Sequence, residues 1–141
     1  MRRRRVLVVE DNYLLLEMLS ALCQRSGIAV VSVSSGEAAV AAIRQVSAAE
    51  DRADDAFGLL LTDINLPGLI DGWSVAQAFR TLNPAGPVIY SSTGGCDDRR
   101  AVSGSVFLAK PFRIQDVVDL AGSMMREPTV GSESLILRPT G

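Results

Sequence analysis

The stretch Val6-Leu7-Val8-Val9-Glu10-Asp11 decides how this chain is read. Four apolar residues follow one another without alternation, and an acidic pair then stops the run. A strand with one wet face alternates apolar and polar positions, whereas a parallel strand covered on both faces reads as continuous apolar sequence. Working outward, the pattern returns in Ile28-Ala29-Val30-Val31-Ser32-Val33, Gly58-Leu59-Leu60-Leu61-Thr62, Val88-Ile89-Tyr90-Ser91 and Val106-Phe107-Leu108-Ala109. Helical spacing fills the gaps. Leu15, Met18, Leu19 and Leu22 form one apolar stripe, and Ala39, Ala42, Ile43 and Val46 another. Val75, Ala76, Phe79 and Leu82 form a looser one, and Ile114, Val117, Val118, Ala121, Met124 and Met125 the clearest. Strand alternating with helix predicts an α/β domain with a doubly wound sheet of five parallel strands.

One connection is poor in helical signal. Residues 93–104 carry Gly94, Gly95 and Gly104 and almost no apolar stripe, which predicts a fourth helix that is short or irregular. Glu50-Asp51-Arg52-Ala53-Asp54-Asp55 reads as a solvated loop. The domain is expected over residues 1–126, and residues 127–141, with two prolines and two glycines, as a flexible C-terminal tail.

Composition bounds the rest. A chain of 141 residues, 48% hydrophobic and 21% charged, has the size and apolar content of one folded domain, which excludes wholesale disorder. No apolar run approaches the ~18 residues of a membrane span, and Glu10-Asp11 ends the first run too early for a signal peptide. Cys23 and Cys96 make no disulfide framework, so reduced thiols and a cytoplasmic location are expected. A net charge of −2 gives no general attraction to nucleic acid or membrane, and the basic cluster from Arg2 to Arg5 reads as a solvated end with no nucleic-acid reader behind it. There is no histidine, which excludes histidine-based catalysis and metal ligation. Thirteen arginines accompany one lysine, Lys110. That ratio makes the lysine conspicuous, because a compact ammonium and a planar guanidinium do different work.

In an open parallel sheet, ligands bind beyond the carboxyl ends of the strands. Glu10 and Asp11 follow the first run, Asp63 and Asn65 the third, Ser92 and Thr93 the fourth, and Lys110-Pro111 the fifth. Neighbouring carboxylates resist ionising together, and a hard divalent cation such as Mg²⁺ removes the conflict. A hydroxyl and an ammonium suit phosphoryl oxygens. The set therefore predicts a phosphoryl-transfer site with a carboxylate nucleophile. Each member also has a plainer reading: an N-cap for the acidic pair, a turn for Asp63, a turn cap for Ser92, a surface lysine for Lys110. The plainer readings do not explain why all of them stand on one edge.

These segments resemble the receiver domain of two-component response regulators over residues 4–126. The resemblance is carried by Val6-Leu7-Val8-Val9-Glu10-Asp11-Asn12, by Leu60-Leu61-Thr62-Asp63-Ile64-Asn65-Leu66-Pro67-Gly68 with Asp71-Gly72, by Pro87-Val88-Ile89-Tyr90-Ser91-Ser92, and by Phe107-Leu108-Ala109-Lys110-Pro111-Phe112. It implies a flavodoxin-like (βα)5 fold of strand order 2-1-3-4-5. It implies that Asp63 is the phosphoacceptor, Asp11 the direct Mg²⁺ carboxylate, Glu10 its water-mediated partner, and Asn65 a ligand through its backbone carbonyl. Ser92 and Lys110 would bind phosphoryl oxygens, with a cis bond between Lys110 and Pro111. Phe107 matches the switching aromatic, though it also reads as a buried strand residue. Ser92-Thr93 leaves two candidates for the switching hydroxyl.

The sequence departs from the pattern in three places. Glu10 stands where aspartate is commoner, one extra residue (Leu69 or Ile70) lies between Asp63 and Gly72, and the fourth helix is weak. The resemblance implies a standalone, non-enzymatic switch phosphorylated by a histidine kinase or phosphotransferase protein. Its output is expected through a protein partner or onward phosphotransfer, and homodimerisation is left open. The alternative reading, a haloacid-dehalogenase-like phosphatase, needs Asp-x-Asp after the first strand, where Glu10-Asp11-Asn12 stands instead. A flavin carrier of the same fold needs a phosphate-binding loop there, and two carboxylates would repel the phosphate.

Overall fold

The computed structural model describes residues 5–48, 57–94, 99–126 and 135–137. They form β1 (Arg5–Val9), α1 (Tyr13–Arg25), β2 (Ala29–Val33), α2 (Gly36–Ala48), β3 (Phe57–Asp63), α3 (Gly72–Leu82), β4 (Val88–Ser92), β5 (Val106–Ala109), α4 (Ile114–Arg126) and β6 (Leu135–Leu137). All strands are parallel, in the order β2-β1-β3-β4-β5-β6. The first five hold the expected order 2-1-3-4-5.

A sixth strand joins the five that were expected, and it lies within the segment read as a tail. Leu135, Ile136 and Leu137 pair in parallel with Val106, Phe107 and Leu108. Three apolar residues among proline, glycine and serine are too short a run to announce a strand. Their partner, the open edge of β5, exists only after the sheet has formed. The rest of the tail, the acidic loop at 50–55, Cys96 and Arg2 to Arg4 lie outside the described residues. Arg5 opens β1, and its guanidinium lies 4.8 Å from the centre of the Phe57 ring.

Strand residues alternate between two buried layers, as a period of two requires. Leu7, Val9, Leu60 and Tyr90 pack with Ala39 and Ile43 of α2 and Val75 and Phe79 of α3. Val6, Val8, Leu61 and Ile89 pack on the other face with Leu16 and Leu19 of α1 and Val117 and Ala121 of α4. The central strands β1, β3 and β4 are buried almost throughout, which is why their sequences read as continuous apolar runs. β2 sits at the edge and is half-buried, with Ser32 exposed, so its apolar run overstated its burial.

The buried stripe of α1 is Leu16, Leu19 and Cys23, not Leu15, Met18, Leu19 and Leu22, and Met18 remains 47% exposed. The helix is apolar on most of its circumference, so periodicity alone does not choose the face; contact with the sheet does. Between β4 and β5 the described residues form turns and bends and no helix, in line with the poor helical signal. Arg80 nonetheless ties this connection down, donating to the Ser103 carbonyl at 2.8 Å and to the Gly86 carbonyl at 2.7 Å. The Val102 N–H donates to the Tyr90 hydroxyl at 3.1 Å. Among the described residues, no helix is long and apolar enough to cross a membrane.

Candidate functional site

Parallel strands end on one edge, and the neighbours β1, β3, β4 and β5 deliver Glu10, Asp63, Ser92 and Lys110 to it side by side. Backbone bonds hold these strand ends in place. The Glu10 N–H donates to the Val33 carbonyl at 3.1 Å, Ile64 to Ser91 at 3.0 Å, and Lys110 to Ser92 at 2.9 Å. Beyond Asp63 the chain turns sharply into α3, where the Gly72 N–H donates to the Ile64 carbonyl at 2.9 Å. A Cβ at position 72 would fall 2.2 Å from the Asp63 carbonyl oxygen, so the turn requires glycine.

Glu10 is 2% exposed and Asp63 7%, while Asp11 is exposed. One carboxylate oxygen from each of the three lies within 4.8 Å of the others. Lys110 Nζ donates to Glu10 Oε1 at 2.7 Å and to Asp63 Oδ2 at 3.2 Å. The second Glu10 oxygen accepts the Asn12 N–H at 3.0 Å. Both Glu10 oxygens are thus engaged inside the protein, while Asp11 stands on the open side.

Charge explains what this arrangement does to Asp63. Burial first, and then the Glu10 charge, push its carboxyl up from 3.8 to about 6; Lys110 opposes that rise and Asp11 adds to it. For Lys110, burial works against the charged form, but the hydrogen bond and charge of Glu10, with those of Asp63, outweigh it and raise the ammonium's pKa. One ammonium therefore serves two buried carboxylates beside a third acid. Such a donor set, all oxygen with surplus negative charge, fits a hard divalent cation.

The plainer readings meet specific geometry. The α1 cap is the Asn12 side chain, which accepts the Leu15 N–H at 3.1 Å, so the acidic pair is not the cap. Asp63 is the last residue of β3 rather than a turn residue, and Asp71 caps α3 by accepting the Ser74 N–H at 3.0 Å. Ser92 is buried at the end of β4 and its Oγ accepts the Gly94 N–H at 3.0 Å, whereas Thr93 is exposed. Asn65 is exposed in the loop after β3. The Lys110–Pro111 bond is cis.

Phe107 lies inward, 4% exposed. Its ring stacks on Tyr90 at 5.2 Å between centroids and lies 6.0 Å from Trp73, and Trp73 is tilted against Tyr90 at 4.8 Å. Arg100 reaches across this group, 3.2 Å from the Asp71 carboxylate and 5.8 Å from the centre of the Trp73 ring. Sequence reasoning singled out neither Trp73 nor Arg100. The available signal was the chain's single tryptophan, two residues past Asp71.

It also missed Glu37, in the first turn of α2. The Glu37 carboxylate accepts the Leu69 N–H at 2.9 Å, and backbone bonds of this kind hold its carboxyl below the usual range. That contact anchors the lengthened loop after Asp63 and leaves Leu69 97% exposed at its tip. Gly68, at φ +89, lies directly under the Glu37 oxygens.

The comparisons with known proteins agree with this geometry. The family model of the response regulator receiver domain matches residues 6–121. The chain is 32% identical over 133 residues to the response regulator protein FleR of Pseudomonas aeruginosa, covering 92% of this chain and 26% of that protein. It is 30% identical over 129 residues to the probable transcriptional regulatory protein TcrX of Mycobacterium tuberculosis, covering 89% and 51%. The chain thus spans about a quarter and about half of these two relatives. A response regulator receiver protein of Sinorhizobium medicae superposes with a TM-score of 0.75 at 27% identity, over 88% of this chain and 95% of that one. The expected strand order, the edge of acidic residues and the family match converge: this chain belongs to the response regulator receiver domain family of two-component signalling.

Proposed function

We propose that the chain is a phosphoacceptor switch in which Asp63 takes a phosphoryl group from a histidine kinase or phosphotransferase protein. The observation that carries this reading is the carboxylate trio of Glu10, Asp11 and Asp63, its oxygens within 4.8 Å of one another, with Lys110 bridging Glu10 and Asp63. An Asp63 oxygen attacks the phosphorus of the donor, an O–P bond forms, and the bond from phosphorus to the donor imidazole breaks. Lys110 steadies the developing charge on a phosphoryl oxygen. The Ser92 hydroxyl accepts from Gly94 in the resting chain, and its own proton serves a second phosphoryl oxygen.

Asp11 and Asp63 would hold Mg²⁺ directly with the Asn65 carbonyl. Glu10, whose oxygens already serve Lys110 and Asn12, would act through water. Bound there, Mg²⁺ supplies charge neutralisation between the acceptor and the incoming phosphoryl group. The chain turns over no substrate; it catalyses its own phosphorylation and passes the change to a protein partner. The phosphatase reading gains nothing from the geometry, because its nucleophile would have to follow β1 rather than β3.

The test is direct. Purified protein with Mg²⁺ and a small acyl phosphate should gain one acid-labile phosphate at Asp63, located by mass spectrometry. No phosphate, or phosphate elsewhere, refutes the assignment.

A further inference from the structure

The edge of β5 holds three facts together. β5 carries Phe107, whose ring packs on Tyr90 and Trp73, and runs directly into Lys110, whose ammonium is bonded to Glu10 and Asp63. Its inner neighbour β4 pairs with it over four residues, Ile89↔Val106 to Ser92↔Ala109. Its outer neighbour β6 pairs over three, Val106↔Leu135 to Leu108↔Leu137. The strand that joins the proposed phosphorylation site to the aromatic cluster is thus covered on its outer side by the chain's own C-terminal segment.

We propose that residues 135–137 form a displaceable strand whose occupancy of the β5 edge is governed by the state of Asp63: paired in the resting protein, released on phosphorylation. The proposal rests on Asp63 being the phosphoacceptor. A phosphoryl group there adds bulk and negative charge where Lys110 now bridges two carboxylates, so the ammonium changes partners and the end of β5 moves with it. Of the two ladders on β5, the outer is the shorter, and it lies at the rim of the sheet. It yields first, because a slip of one residue removes a third of its pairs.

Release is reversible. Eight residues, 127–134, connect α4 to β6, and so short a connection keeps the detached strand at millimolar effective concentration. Release also uncovers backbone N–H and C=O groups on β5, which exposes the edge while freeing the C-terminal segment. Coupling between two sites is reciprocal, so unpairing the strand must strengthen the binding of a phosphoryl mimic at Asp63.

Amide hydrogen exchange on the full chain tests this, with Mg²⁺ alone and with Mg²⁺ plus beryllofluoride, whose binding is followed separately by ¹⁹F NMR. In Mg²⁺ alone, amides in 106–108 and 135–137 should be protected. With beryllofluoride bound, protection of 135–137 should fall by about tenfold or more while that of 88–92 holds. Ile136→Pro, which removes a backbone N–H and locks φ, should lower protection in 106–108 without any mimic and tighten beryllofluoride binding several-fold. If beryllofluoride binds but 135–137 stay equally protected, the coupling is wrong; Ile136→Pro binding the mimic like wild type says the same. If the wild-type chain binds no beryllofluoride, the phosphoacceptor assignment fails, and this proposal with it. Should Ile136→Pro fold poorly, the wild-type exchange measurement decides alone.

Discussion

Lys110 Nζ stands closer to Glu10 than to the proposed phosphoacceptor, at 2.7 Å from Glu10 Oε1 against 3.2 Å from Asp63 Oδ2. After burial, the Glu10 charge is the main cause that raises the pKa of Asp63, because it opposes ionisation there. Replacing Glu10 by Gln removes the charge at nearly constant shape. Without metal, the Asp63 carboxyl of Glu10→Gln should titrate below about 6, with burial still holding it above its ordinary value. Carboxyl-detected NMR titration reads this, and an unmoved Asp63 would show that burial alone sets its value.

Without metal, Asp63 should also shape how stability varies with pH. Its carboxyl is raised from 3.8 to about 6 in the fold, so the native state holds this proton more tightly than the unfolded chain. Its favourable contribution is complete below the unfolded value and is lost as pH rises through the window up to about 6. At ~1.4 kcal/mol per unit, the loss at neutral pH is up to ~3 kcal/mol. Asp63→Asn should thus be more stable than wild type at ~pH 7.5 in chelator, with the gap closing as pH falls below ~4. Urea unfolding across that range checks it. A gap that widens toward acid would reverse the sign and refute the account.

Asp11→Ala should weaken Mg²⁺ binding by ~10-fold or more, judged by what ligand changes at metal sites commonly cost. The metal-free fold should not lose stability, because Asp11 is exposed and Asn12 caps α1. Calorimetric Mg²⁺ titration and chelator-treated urea unfolding separate the two effects. Lost stability with unchanged affinity would assign Asp11 a structural role.

Lys110→Arg should be damaging although the charge is kept. The ammonium reaches two carboxylates in a site where Glu10 is 2% exposed, and a planar fork needs more room and a bidentate partner. Phosphorylation by a small phosphodonor should still occur but should no longer change the exchange pattern of β5. A wild-type response in Lys110→Arg would make the lysine incidental.

Gly72→Ala should cost ~1–3 kcal/mol, the usual range for forcing atoms into a packed place. The new Cβ would meet the Asp63 carbonyl and the Ile64 Cα at 2.2 and 2.8 Å, so the relief must come from the backbone that carries the proposed phosphoacceptor. Slower phosphorylation should accompany the lost stability, measured by mass spectrometry and thermal unfolding. Full stability in this variant would mean that the turn into α3 relaxes freely.

What the sequence determined by itself was whatever depends on neighbours along the chain. Unbroken apolar runs marked the parallel strands because central strands are covered on both faces, and the residues following those runs were placed on one edge by the parallel direction alone. Glycines at 94, 95 and 104 announced, through their local cost, that any helix between β4 and β5 would be short or irregular, and the described residues there form turns and bends.

What only the tertiary structure decided depends on partners far apart in the chain. Which face of α1 is buried was open, because Leu15, Leu16, Met18 and Leu19 are all apolar and the sheet makes the choice. The Trp73–Tyr90–Phe107 cluster joins three elements that carry no mutual signal in sequence. Glu37 anchors a loop 32 residues away, and Lys110 crosses 100 residues to reach Glu10. Leu135, Ile136 and Leu137 become a strand because the edge of β5 offers unpaired backbone groups to satisfy, and that edge is made by the fold.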